Sequence, residues 1–241
     1  MMIVLMKCLN EEKGVARCIN NFHNEKWVDK IVVIDGGSSD YTVQEVKQFK
    51  KAVVYIHPWI DWYHDMEITQ SNIALSYIPH GMIAFILDFD ECCSEELKEV
   101  LSEVNSKGFD NDVGNVSRRT VDVIRYMDSP IAVLGSDGMP IISNQIGQYP
   151  DFQPRLIKKD YRMRWVNSPH HQLIGWEKMS STNIKADIIH YEKDDLRDRV
   201  RIEKKWLRAQ ARRIELGISC DIFESKINPE LAQYADYENW K

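Results

Sequence analysis

Short apolar runs with no polar face recur through the first 105 residues, and each stops at a polar or acidic cluster. Lys30-Ile31-Val32-Val33-Ile34 runs into Asp35-Gly36-Gly37-Ser38-Ser39-Asp40, and Met82-Ile83-Ala84-Phe85-Ile86-Leu87 runs into Asp88-Phe89-Asp90-Glu91. A strand that is apolar on both sides has to be covered on both sides, which is the situation of a parallel sheet between helical layers. Ile3 to Met6 and Ala52 to Ile56 read as two further strands.

The intervening segments carry the covering helices. Val15, Cys18, Ile19 and Phe22 fall at i, i+3, i+4 and i+7 and so share one helix face. Asn10 is expected to cap that helix, with Glu11 and Glu12 in its first turn, where the helix dipole favours acids. Val43 and Val46 face inward on a second helix, and a third covers Asp65 to Ile78. Ser94 is expected to cap a fourth, which buries Leu97, Val100, Leu101 and Val104. The alternation predicts an α/β fold with a mostly parallel central sheet and helices on both faces.

Beyond Val113 the pattern changes. Val121 to Tyr126 and Arg162 to Trp165 read as antiparallel strands with Gly and Pro punctuation, a small mixed β region. Asp194 to Leu216 reads as a long charged helix, followed by an aromatic tail. No linker separates the parts, so a single domain over 1–241 is expected, with 1–105, 106–192 and 193–241 as its successive portions.

Charge and cysteine content bound the function. The 31 Lys and Arg against 37 Asp and Glu give a net charge of −6, which argues against a nucleic-acid-binding role. Five cysteines, an odd number without repeated C-x-x-C pairing, point to reduced thiols and a cytoplasmic setting. The apolar start Met1 to Met6 is too short for a leader, and no uncharged apolar run approaches the ~18 residues of a membrane span. The basic helix from Arg197 to Arg213 leaves room for peripheral membrane contact or for a phosphorylated acceptor, and a solvated helix face accounts for it equally.

In parallel sheets ligands collect beyond the carboxyl ends of the strands, where this chain carries its acids. Side chains alternate along an extended chain, so Asp88 and Asp90 project together while Phe89 turns to the core. Such a carboxylate pair suits Mg²⁺ or Mn²⁺ carrying a phosphate ligand; the plainer reading is one helix cap and one solvated acid. The glycines after Asp35 permit a sharp turn, and Asp35 could accept hydrogen bonds from a base or a ribose hydroxyl. The segment is neither a P-loop nor G-x-G-x-x-G, and by itself it reads as a turn with a helix cap. The aromatic stretch His57 to Asp65 could stack on a sugar or base, or pack as a lid.

Taken in order, Lys7-Cys8-Leu9-Asn10-Glu11-Glu12, Ile31 to Thr42 and Ile86 to Glu91 resemble glycosyltransferase family 2, with its GT-A nucleotide-sugar fold. The resemblance implies that Leu9, Asn10 and Glu11 border the base and ribose, that Asp35 hydrogen-bonds the base, usually uracil, and that Asp90 coordinates a divalent cation on the diphosphate. Asp88 would lie near both ribose and metal, and Ser38, Asn72 and Phe89 join the nucleotide-binding set. Arg155-Leu156-Ile157-Lys158-Lys159, His170-His171-Gln172-Leu173 and Ile189-His190-Tyr191 are similar to segments of lipopolysaccharide-core-type members, although His171 stands where that subgroup commonly has Glu. His170 and His190 each fit a polar network as well as a ligand role; His170 is assigned here as the third metal ligand.

The family chemistry is transfer of a sugar from a nucleoside-diphosphate donor, here expected to be a UDP-sugar, to a hydroxyl of a glycan or lipid-linked acceptor. A bound Mn²⁺ or Mg²⁺ would neutralise the leaving diphosphate. An inverting displacement also needs a base opposite the leaving group. Asp151, Asp137 and Glu177 are candidates, and Asp151 is preferred because it precedes the Arg155 segment. Two rivals remain: a haloacid-dehalogenase-like phosphatase with Asp88 as nucleophile and Asp90 as acid, and a catalytically silent nucleotide-sugar-binding protein. The first leaves Asp35-Gly36-Gly37-Ser38 unexplained and has Cys92 where Thr or Val is usual.

Overall fold

The computed structural model describes residues 2–59, 66–122, 133–134, 140–141, 149–166 and 172–192. The first portion runs β1 (Met2–Cys8), α1 (Val15–His23), β2 (Val28–Asp35), α2 (Thr42–Val46), β3 (Ala52–Ile56), α3 (Met66–Ser76), β4 (Ile83–Asp88), β5 (Glu91–Cys93) and α4 (Glu95–Lys107). Then follow β6 (Val113–Asp122), β7 (Val133–Leu134), β8 (Pro140–Ile141), β9 (Asp151–Lys158), β10 (Arg164–Val166), β11 (Gln172–Ile174) and β12 (Ser181–Glu192).

One eight-stranded sheet unites both portions in the order β3-β2-β1-β4-β9-β6-β12-β5. The first four strands of that order are parallel; β9 runs antiparallel to β4 and β6, β12 is parallel to β6, and β5 closes the edge antiparallel to β12. The changed pattern beyond Val113 therefore extends the central sheet, and β6 with β12 departs from the antiparallel expectation. The antiparallel pairs β10-β11 and β7-β8 stand apart from it.

The alternation of side chains sorts the apolar residues onto two faces. Met2, Val4, Met6 and Cys8 of β1, with Ile31, Val33, Phe85 and Leu87, pack under α1 and α4. Ile3 and Leu5, with Val32, Ile34, Ala84 and Ile86, pack against Ala74, Leu75 and Ile78 and against Trp165 and Leu173. Phe22 and Phe85 are both fully buried and meet at 6.1 Å between ring centroids, each burial stabilising the fold by about 1.5–3 kcal/mol. The Ser94 hydroxyl accepts from the Leu97 amide at 3.2 Å, as a helix cap should.

Asn10 differs from expectation. It adopts φ 56°, α1 begins only at Val15, and no side chain caps that helix. A positive φ is tolerated by Asn better than by most residues, and it turns this amide toward the neighbouring loop instead of the helix end. Among the described residues no helix is long and apolar enough to cross a membrane. The expectations for Ile60 to Asp65, Val123 to Tyr126, Asp137, His170, His171 and the 193–241 helix and tail lie outside the described residues.

Candidate active site

Parallel strands β1, β2 and β4 end at the same edge of the sheet, where Cys8 is paired with Asp35 and Lys7 with Asp88. This register brings the separate sequence clusters together. The β1 and β2 loops are laced to each other: the Asn10 amide donates to Ser38 Oγ at 2.9 Å, and Ser39 N donates to Asn10 Oδ1 at 2.8 Å. Glu11 N donates to Thr42 Oγ1 at 2.7 Å and Glu12 N to Asp40 Oδ2 at 3.2 Å. Partial burial works against the Asp40 charge, but hydrogen bonds from Thr42 and Glu12 outweigh it and hold its carboxyl below the ordinary value.

Asp35 is fully buried and organises its own loop. Its Oδ1 accepts from the Gly37 and Ser38 amides, each at 2.9 Å, while Oδ2 accepts from Ser38 Oγ at 2.5 Å and from the Cys8 thiol at 3.5 Å. Burial, and then Asp35, push the Cys8 thiol pKa up, so it remains a protonated donor. The Trp59 indole lies over Gly36, where a Cβ would come within 2.8 Å of Nε1, so only glycine fits beneath that ring. In this conformation Asp35 supports the loop rather than facing open space.

The β4 end is built from charge. Asp88 is 42% exposed at its side chain, and its Oδ2 accepts from Arg155 Nη1 at 3.3 Å. Crowding at the sheet end opposes its charge, yet Lys7 and then Arg155 outweigh that cost and hold the Asp88 carboxyl below its ordinary value. Glu91 is buried, accepts from Arg155 Nη2 at 2.7 Å, and accepts from the Asp88 amide at 3.0 Å. Burial pushes the Glu91 pKa up to about 7, helped by Asp88 and Asp90 and resisted by Arg155. Lys7 Nζ donates to Ser71 Oγ at 2.9 Å on α3.

Asp90 lies beside a histidine from the far end of the sequence. In the β12–β5 pairing His190 is opposite Glu91, and His190 Nε2 comes within 3.3 Å of Asp90 Oδ2. Both side chains are partly exposed, at 19% and 29%. A carboxylate next to an imidazole is a donor set that fits a divalent cation taking its remaining ligands from phosphate and water. Among the described residues no three His, Cys, Asp or Glu side chains gather closely enough to hold a metal by themselves.

The other expected residues fall as follows. Leu9 and Glu11 are partly buried in the β1 loop. The Phe89 side chain is 2% exposed and belongs to the core, and its carbonyl, with that of Glu91, lies against Cys18 Sγ. Asn72 exchanges two hydrogen bonds with the Trp165 backbone, at 2.8 and 3.0 Å, which fastens α3 to β10 and takes up its amide. Asp151 begins β9 opposite Arg118, at the same end of the sheet as Asp88, and its Oδ2 accepts from Arg118 at 3.0 Å and from Gln153 at 2.7 Å. Glu177 lies in the turn before β12, at the opposite end of the sheet, which removes it as a base. Arg155, Glu91, Gln153 and Lys7 received no role from sequence reasoning. The one available signal was the Arg155 segment itself.

The sequence matches the description "Glycosyl transferase family 2" over residues 3–174. The chain belongs to glycosyl transferase family 2. Membership, with the GT-A-like α/β fold, sets aside the phosphatase reading of Asp88 and Asp90. Among solved structures it is similar to S. aureus TarS 1–349 in complex with UDP, at 16% identity and a TM-score of 0.50, covering 85% of this chain and 63% of that one. It is likewise similar to S. aureus TarS at 15% identity and a TM-score of 0.50, covering 86% of this chain and 39% of that one. At such identity the likeness is one of fold, and the family 2 chain spans less than two thirds of either structure.

Proposed function

We propose that this family 2 chain transfers a sugar from a uridine-diphosphate donor to a hydroxyl of a glycan or lipid-linked acceptor, with inversion and with a divalent cation. The observation that carries the reading is the meeting of Asp90 and His190 at 3.3 Å beside Asp88, on the sheet edge where the β1 and β2 loops also end. The UDP held by the TarS 1–349 structure supports a uridine nucleotide as donor. Asp90 and His190 would hold Mn²⁺ or Mg²⁺; His170, the ligand expected from sequence, lies outside the described residues. A bound cation would offset the negative charge that develops on the departing diphosphate.

The chain's own residues do the rest. Asn10, Glu11 and the backbone of the Gly36 to Ser38 loop border the nucleotide. Asp35, turned inward onto the Gly37 and Ser38 amides, supports that loop beneath the nucleotide. Asp151 takes the acceptor proton at Oδ1, since Oδ2 already accepts from Arg118 and Gln153. The work is placed in the cytoplasm, with any membrane contact made by the basic stretch of sequence from Arg197 to Arg213.

Incubation with UDP-sugars and MnCl₂ tests this directly. Slow release of UDP, lost on Asp151→Asn with UDP binding retained, is the expected outcome. Binding of UDP without any turnover would instead make this a silent nucleotide-sugar-binding protein, and no binding of any uridine nucleotide would remove the proposal.

A further inference from the structure

Arg155 lies deep in the fold, 7% exposed at its side chain, yet it reaches the sheet edge that carries the site. The reason is register. Leu156 of β9 is opposite Phe85 of β4, and because the strands are antiparallel, stepping back to Arg155 climbs toward the carboxyl end of β4. From there Nη1 donates to Asp88 Oδ2 at 3.3 Å, while Nη2 donates to Glu91 Oε1 at 2.7 Å and to Gln153 Oε1 at 2.8 Å. Gln153 in turn donates through Nε2 to Asp151 at 2.7 Å. One guanidinium therefore touches a fully buried carboxylate, the half-exposed Asp88 and the side chain that contacts Asp151.

A buried ion pair is an expensive way to stabilise a sheet, because desolvation of both charges offsets most of their attraction. Its geometry here does something an apolar pair could not. Glu91 and Gln153 fix the fork of Arg155, and the fork holds Asp88 through Oδ2. Glu91 Oε2 also accepts from the Asp88 amide at 3.0 Å, so backbone and side chain of Asp88 are held by the same assembly. We infer that Arg155 is a positioning residue for the donor site: seated on Glu91 and braced by Gln153, it sets the Asp88 carboxylate for the nucleotide and ties that carboxylate to Asp151 along β9. The inference rests on the reading of Asp88 as a donor-side residue.

Lysine cannot reproduce the planar fork, although it keeps the positive charge against Glu91. Arg155→Lys is thus expected to fold with a melting temperature near that of the unaltered protein while binding UDP with MnCl₂ about tenfold more weakly by calorimetry, the scale typical of residues that orient a ligating group. In an Asp88→Asn background the same change adds no further loss, because the group through which Arg155 acts has been altered. A merely structural arginine would lower the melting temperature and weaken binding equally in both backgrounds, and that result overturns the inference. So does UDP affinity within twofold of the unaltered protein in Arg155→Lys, an outcome that leaves the proposed function standing. Absence of UDP binding by the unaltered protein, with or without MnCl₂, removes the proposed function and this inference with it.

Discussion

At the ends of β1 and β2 the loops are joined by short, neutral or singly charged hydrogen bonds between residues 28 to 31 apart in sequence: Asn10 with Ser38 and Ser39, Glu11 with Thr42, Glu12 with Asp40. At the end of β4 the partners come from much farther along the chain and are mostly ions: Arg155 on Asp88 and Glu91, and His190 beside Asp90. The first region is a rigid frame made by local turn chemistry. The second is a charged platform whose shape depends on where β9 and β12 come to lie in the sheet. The donor site proposed above needs both, a loop frame for the nucleotide and a fixed set of charges for the diphosphate.

Variants can pull the two regions apart. The largest expected effect is at the platform: Arg155→Met leaves Glu91 buried without its partner and should cost about 3–5 kcal/mol in chemical denaturation. A loss below about 1 kcal/mol would mean that the platform is looser than its geometry implies. In the frame, Asp35→Ala removes the acceptor of two loop amides and should cost about 2–3 kcal/mol. If that variant also leaves UDP affinity untouched, the frame does not shape the nucleotide site.

Glu91 gives a pH-dependent contrast of intermediate size. Its folded pKa of about 7 lies above the ordinary carboxyl value of 4.5, so the folded state holds the proton longer than the unfolded one. The stability this confers is complete below pH 4.5 and is lost as the pH rises through 7. The stability of the unaltered protein relative to Glu91→Gln should therefore fall across that window, and a relative stability that rises with pH would contradict the assignment. The smallest effect belongs to neither region: Ser94→Ala removes the α4 cap and should cost about 1 kcal/mol, with no change in UDP binding.

The same contrast governs what could be read from the sequence. Strands β1 to β4, their covering helices and the Ser94 cap were legible because each is encoded by a local period or a single capping side chain. The clusters at Asn10, Asp35 and Asp88 were legible as contiguous motifs. Their internal arrangement was not: nothing in spacing shows that Asn10 takes φ 56° and serves the β2 loop, or that Asp35 turns wholly inward. The platform was the least legible part. That His190 stands beside Asp90 follows from the pairing of β12 with β5, and that Arg155 reaches Asp88 follows from the Phe85–Leu156 register. Both are long-range facts of strand order, on which local pattern is silent.

The central claim is that Asp90, facing His190, makes this edge a cation-dependent nucleotide site. Calorimetric titration of UDP into the unaltered protein and into Asp90→Ala, each with MnCl₂ and with EDTA, tests it most directly. The account predicts that MnCl₂ tightens UDP binding to the unaltered protein and that Asp90→Ala abolishes this gain while keeping its melting temperature. Equal UDP affinity in MnCl₂ and EDTA, or a manganese-dependent gain that survives in Asp90→Ala, would contradict it.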